Sequence, residues 1–167
     1  DMLLAQANSR GRAPTSAPHS GFERIVANRT TIIMDTGYPA DNNSHASTLA
    51  MEMSNGRERI IVNCGARTGP SESWAQVQRS TAAHSTMIVD DTNSSDIVNG
   101  KKYNRRPSKV IIDRNETQGK IWINSSHDGY GPLLGVTHQR RLYVDSSGDD
   151  IRGEDAIFLD SYGKRQP

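Results

Sequence analysis

The chain has a single cysteine, Cys64, in 167 residues. That excludes an internal disulfide and a thiolate zinc site, and it leaves the redox compartment open. A surplus of one charge is also missing: the formal net charge is +1, whereas a dedicated nucleic-acid binder concentrates a large basic excess on one face. The one basic cluster, Lys101–Lys109 (KKYNRRPSK), is broken by Asn and Pro and reads as a solvated loop. No stretch approaches the roughly 20 apolar residues that span a bilayer. Neither nucleic acid nor a membrane is therefore expected as a partner. The opening Asp1-Met2-Leu3-Leu4-Ala5 lacks the basic start and long apolar core of a secretory signal, and a longer chain is expected beyond both ends. No window of a dozen residues sustains helical periodicity, and there is no Gly-x-Ser-x-Gly elbow. The histidines show no zinc-finger spacing, and Asp90-Asp91 and Asp149-Asp150 lack the ordered oxygen ligands of a calcium loop.

What is present is a series of short segments rich in β-branched residues with turn residues between them. This pattern predicts an all-β fold, an antiparallel β-sandwich forming part of a larger sandwich. Residues 1–20, with Pro14 and Pro18, read as a linker or helix end arriving from an upstream domain, and 21–167 as the sandwich. Phe22–Asp35 reads as two short strands around Asn28-Arg29, or as one bent strand. Leu49–Met53 and Ile60–Cys64 flank Ser54-Asn55-Gly56, a strong hairpin signal that also makes Cys64 a buried thiol. Trp74–Ala83 fits a short strand or a helical turn, and His84–Asp90 a strand. Lys109–Asp113 and Lys120–Asn124 flank a longer loop, Arg114–Gly119, with Trp122 and the neighbouring Ile residues in the core. Gln139–Asp145 reads as a strand, Ser146–Asp150 as a turn and Ile151–Leu159 as a last strand or a pair of short ones, and Glu154 and Asp155 read as solvated. Strands left without partners would expose edges, which favours a homodimer.

Candidate chemistry gathers around the hairpin. His45 opens its first strand, Asn63 closes its second, and His84 opens the next strand-like run. Three polar side chains at strand ends can converge, as metal or substrate ligands, if the register allows it. A two-residue loop pairs Met51 with Ile60 and puts Asn63 on the face opposite His45. A three-residue loop bulged at Gly56 pairs Ser47 with Asn63 and puts all of them on one face. The sequence fits both. A different class of function is a non-catalytic carbohydrate-binding module that stacks sugars on Trp74, Trp122, Tyr130 and Tyr143, and a third is a structural sandwich serving as a domain interface.

Four blocks, HASTLAMEMSNGRERIIVNCG, RSTAAHSTMIVDD, SSHDGYGPLLGVTHQRRLYV and DDIRGEDAI, resemble in order and spacing the C-terminal domain of heparinase II/III-like polysaccharide lyases. The resemblance implies a β-sandwich that works beside an N-terminal helical toroid, cleaving a uronic-acid polysaccharide by β-elimination, in a periplasmic or secreted protein. Such a lyase neutralises the uronate carboxylate, removes the C5 proton and returns a proton to the glycosidic oxygen. In the family a Tyr and an Asn or His of the toroid do most of this, so the sandwich alone is expected to be inactive. The sandwich of the family adds a His-x-His pair, an Asp and a later His. Asn43 here takes the place of the substrate-facing histidine, the catalytic position. His45, Asn63 and His84 match the metal positions, with Asn63 in place of the carboxylate. The cofactor implied is zinc, weakened because a neutral amide stands where an anion offsets the dication.

Overall fold

The computed structural model describes residues 16–17, 19–39, 45–65, 72–97 and 105–160. A five-stranded antiparallel sheet holds β1 (Ser16–Ala17), β2 (Phe22–Ala27), β3 (Thr30–Asp35), β4 (Met51–Asn55) and β5 (Glu58–Ile61) in chain order. A four-stranded antiparallel sheet holds β6 (Val110–Thr117), β7 (Lys120–His127), β8 (Val136–Val144) and β9 (Ile151–Leu159), also in chain order. Between the sheets run α1 (Glu72–Arg79) and the 3-10 turn Thr81–Ala83, and α2 (Gly131–Leu134) links β7 to β8. Among the described residues no helix is long and apolar enough to cross a membrane.

Alternation along the strands builds the sandwich. In β2 and β3, Ile25, Ala27, Ile32 and Met34 turn inward and meet Ile121, Ile123, Leu142 and Val144 of β7 and β8, with Leu49 filling the space ahead of β4. Each such aliphatic side chain, buried from water, contributes roughly 1.5–3 kcal/mol. The inner face of the second sheet changes character halfway along. Beyond the apolar quartet the same face carries Ser125, His127, His138 and Arg140, all buried. At the apolar end, Thr30 Oγ1 donates to the Gly148 carbonyl at 2.8 Å. Gly148 has φ +74°, and a Cβ there would lie 2.2 Å from the Ala27 carbonyl oxygen, so that close approach of the two sheets needs glycine.

Several sequence expectations are corrected. The β4–β5 hairpin adopts neither anticipated register: it turns at Gly56-Arg57, pairs Asn55 with Glu58, and bulges so that Met53 faces Ile61. Positive φ at Gly56, the first central residue of this turn, suits the hairpin twist and moves the turn one residue on. The first strand starts at Met51, because Leu49 is held at φ +66°, outside the strand region, so His45 lies in a loop ahead of it. His84–Asp90 forms no ladder beyond a single bridge, Val89 to Thr92. Ser85 and Thr86 bond to the chain around β4 through their side chains instead. The loop Arg114–Gly119 shrinks to Gln118-Gly119, both at positive φ, and β6 and β7 run eight residues each. Trp122 is 42% exposed and Cys64 is exposed, where burial was expected for both. Trp74 lies in α1, the helical alternative of the two readings.

Candidate functional site

His45 and His84, 39 residues apart, meet at the rim of the first sheet. His45 Nδ1 lies 2.9 Å from His84 Nε2, and the rings stand edge to face with centroids 5.0 Å apart. His84 Nδ1 is 2.7 Å from the Ser80 carbonyl, which can only accept, so that nitrogen carries the hydrogen and Nε2 presents its lone pair to His45. Burial pushes the His45 pKa down, the charges of His84 and Arg79 add to this, and a backbone hydrogen bond at Gln78 works the other way. A backbone group that favours the charged ring is an accepting carbonyl. His45 thus stands between two acceptors, the His84 lone pair and the backbone at Gln78. Asp35, at the end of β3, lies close enough for the His84 charge to act on it. Burial raises its carboxyl pKa, against hydrogen bonds from Ser47 Oγ at 2.7 Å and the Gly37 amide at 3.1 Å.

Asn63 reaches the same neighbourhood but spends its amide elsewhere. Its Oδ1 accepts from the Ser85 amide at 2.8 Å and its Nδ2 faces the Met51 carbonyl at 3.5 Å. It clamps the His84 segment to β4, and its oxygen is not aimed between the imidazoles. Two imidazole nitrogens, each anchored from behind by a carbonyl, suit a metal ligand pair. Among the described residues no third protein donor of a closed zinc site stands beside the pair. Among the described residues no group of three or more His, Cys, Asp or Glu side chains is placed to hold an ion. The described residues alone do not complete a zinc site. Asn43 lies outside the described residues.

Beside this rim is a buried polar network that sequence reasoning missed. The Gly129 amide donates to His127 Nδ1 at 3.1 Å. The His127 hydrogen therefore sits on Nε2 and points at His138 Nδ1, 3.1 Å away, and His138 Nε2 donates to Asp155 Oδ1 at 2.8 Å. Arg140 grips Asp155 through Nε and Nη2, both at 2.8 Å, while its Nη1 reaches the carbonyls of Leu49 at 2.7 Å and Ser85 at 2.6 Å. Burial depresses the His127 pKa to about 3, assisted by the charge of His138. Burial pushes Asp155 up, yet hydrogen bonds from His138 and Arg140 and the charge of Arg140 outweigh it and hold the carboxyl well below its ordinary range. Asp155, expected to be solvated, is thus the anchor of the network. The signal lay in the hairpin count: His127 pairs with His138, and Arg140 with Asp155, across neighbouring strands.

The aromatics divide. Tyr130 is fully buried and donates to the Met87 carbonyl at 2.6 Å, so it is no sugar platform. Trp74 is exposed on α1, apart from the others in sequence and sheet. Trp122 and Tyr143 pair across β7 and β8 on the outer face, with ring centroids 5.1 Å apart and planes at 49°.

Comparison with known proteins fits this architecture. The family model described as heparinase II/III-like, C-terminal, matches residues 9–162. FtsZ-localized protein C of Caulobacter vibrioides is 30% identical over 165 residues, covering 92% of this chain and 28% of that protein. The crystal structure of a mutant of the heparan sulfate lyase HepC from Pedobacter heparinus superposes with a TM-score of 0.63 at 15% identity, over 85% of this chain and 22% of that one. The second likeness is one of fold, and this chain spans under a third of either protein. By the family match, the chain belongs to the heparinase II/III-like C-terminal domain family.

Proposed function

We propose that this chain is the C-terminal sandwich of a heparinase II/III-like polysaccharide lyase, contributing to β-elimination of a uronic-acid polysaccharide in a longer protein and inactive alone. The observation that carries this reading is the His45–His84 contact at a sheet rim where the third position, Asn63, is tied to Ser85 and Met51. Elimination needs a base, a proton donor and a partner for the uronate carboxylate. The described rim offers a proton-sharing imidazole pair and leaves the rest to a helical toroid. In the same proposal residues 1–20 link to that toroid, 21–167 form the sandwich, and Asn43 donates a hydrogen bond to substrate. Zinc binds weakly or not at all, and the open edge of β9 pairs two copies, which light scattering at high concentration checks.

The test is to incubate the chain with heparan and alginate and follow the ultraviolet absorbance of unsaturated product. No rise above the blank is expected, and robust turnover by this chain alone would defeat the two-domain account. Metal analysis after purification without chelator or nickel should find well under one zinc per chain. Stoichiometric zinc that disappears in His45→Ala would show that the amide at 63 is no obstacle.

The identity to FtsZ-localized protein C, 30% against 15% for the lyase, favours a second reading. In it the sandwich is a non-catalytic interface module of a protein located with FtsZ. Pelleting of the chain with FtsZ polymers, together with a blank lyase assay, would select it.

A further inference from the structure

The outer face of the four-stranded sheet is separate from the rim, because residues that alternate with Ile121, Ile123, His138 and Arg140 point away from the core. On it Trp122 is 42% exposed beside Tyr143, and Arg152 lies over the Tyr143 ring at 5.8 Å from the centroid. One face of Tyr143 is thus taken, and Trp122 is the open ring. A depression of about 290 Å³ surrounds the pair, walled by Asn115, Asn124 and Arg141.

Charge and shape narrow what this surface suits. Arg141 is paired with Glu154 at 3.3 Å and Arg152 with Asp150 at 2.7 Å, so the guanidinium charges are already matched. What remains is an aromatic floor with neutral carboxamides and one carboxylate, Asp113, beside it, and a carboxylate there accepts from hydroxyls and repels an anionic ligand. A ligand complementary to that is uncharged, with an apolar face and a hydroxyl rim. The shape is elongated, since a second depression of about 410 Å³ opens farther along the same face at Ser126 and Thr137. Trp122 and Ser126 lie four residues apart on one strand, about 13 Å. Across from Ser126, Gln139 has a buried carboxamide oxygen with no hydrogen-bond partner.

We infer that the outer face of β6–β9 binds a neutral hexopyranose or pentopyranose chain, stacked on Trp122 and laid along the strands toward Ser126. This is a binding surface additional to the rim and does not depend on the lyase reading. Isothermal titration of the 167-residue chain with cellohexaose, xylohexaose, mannohexaose and a hyaluronan hexasaccharide tests it. At least one neutral hexaose should bind, and Trp122→Thr, which keeps strand propensity, should weaken it by about tenfold or more, as loss of a central aromatic anchor does. Trp74→Phe should leave it unchanged. If Trp122→Thr does not fold, Asn124→Ala decides, with a several-fold loss expected. The inference is overturned by no binding of any neutral hexaose at millimolar concentration, or by binding that neither variant weakens. Binding of hyaluronan alone with strong salt dependence would also overturn it, and so would self-association that Trp122→Thr abolishes, which would make the face a protein contact.

Discussion

Arg140→Met is expected to cost about 3–5 kcal/mol of folding stability, the range for leaving one partner of a buried ion pair uncompensated. Arg140 is 8% exposed and bonds to internal groups: two bonds to Asp155 and one each to the Leu49 and Ser85 carbonyls. Methionine fills similar space and supplies no donor. The substitution therefore leaves Asp155 with the bond from His138 but without its guanidinium, and it removes a donor from two carbonyls. The Asp155 side chain keeps 29% exposure, so water reaches it and the lower half of the range is expected. One further contribution is particular to this fold. Leu49 sits at φ +66°, an uncommon conformation for leucine, and Arg140 together with the Leu49 amide bond to the Asp35 carbonyl holds it there. Arg141→Met is the control. It is the next residue along, on the outer face, and its pair with Glu154 is more than half exposed, so its loss should move stability by under about 1 kcal/mol. Urea unfolding midpoints at constant m-value compare the two. Equal shifts would show that the inter-sheet bonds of Arg140 contribute nothing.

The same residue explains where reading the sequence succeeded and failed. β-Branched residues marked Phe22–Asp35 and Ile151–Leu159 as strand, and of the alternatives left open for each, two strands around Asn28-Arg29 and one unbroken last strand are the ones found. The contact of His84 with His45 was not fixed by the strand reading, since neither residue opens a strand. Leu49 was not legible: its backbone is fixed by a guanidinium 91 positions away, and no local pattern announces that. The hairpin register escaped because Asn-Gly and Gly-Arg are both workable turns, and the pairing of β3 with β4 selects between them. Trp122 is a different kind of failure. Ile121 and Ile123 flank it, so period-two alternation already placed it on the solvent face, and hydrophobic size was allowed to override parity. His127 and His138 lack zinc-finger spacing in the sequence, and only the hairpin between them makes them cross-strand neighbours.

That pairing leads to the second large effect, a loss of about 3 kcal/mol between pH 6.5 and 4 attributable to His127 alone. Its pKa is lowered to about 3 in the fold, against about 6.5 in the unfolded chain. In the interval the unfolded chain takes up a proton that the fold refuses. The contribution is therefore complete above pH 6.5 and disappears as pH falls toward 3, at no more than about 1.4 kcal/mol per pH unit. His45, also lowered, has the same sign. So does Asp155, whose depressed pKa stabilises the fold above the ordinary carboxylate value and ceases to do so below it. Asp35 opposes them: its raised pKa means that acidification relieves a buried charge. A global acid titration mixes all four, and the slope difference between the parent chain and His127→Asn isolates one. Asparagine can accept from the Gly129 amide and donate to His138, so the bonds that fix the turn have replacements while the titration is removed. Stability measured by urea unfolding at pH 4, 5, 6 and 7 should fall less steeply in the variant by about one proton's worth across this window. An unchanged slope would mean that His127 takes its proton in the fold as readily as in the unfolded chain, and that the relay from Gly129 to Asp155 does not hold it neutral.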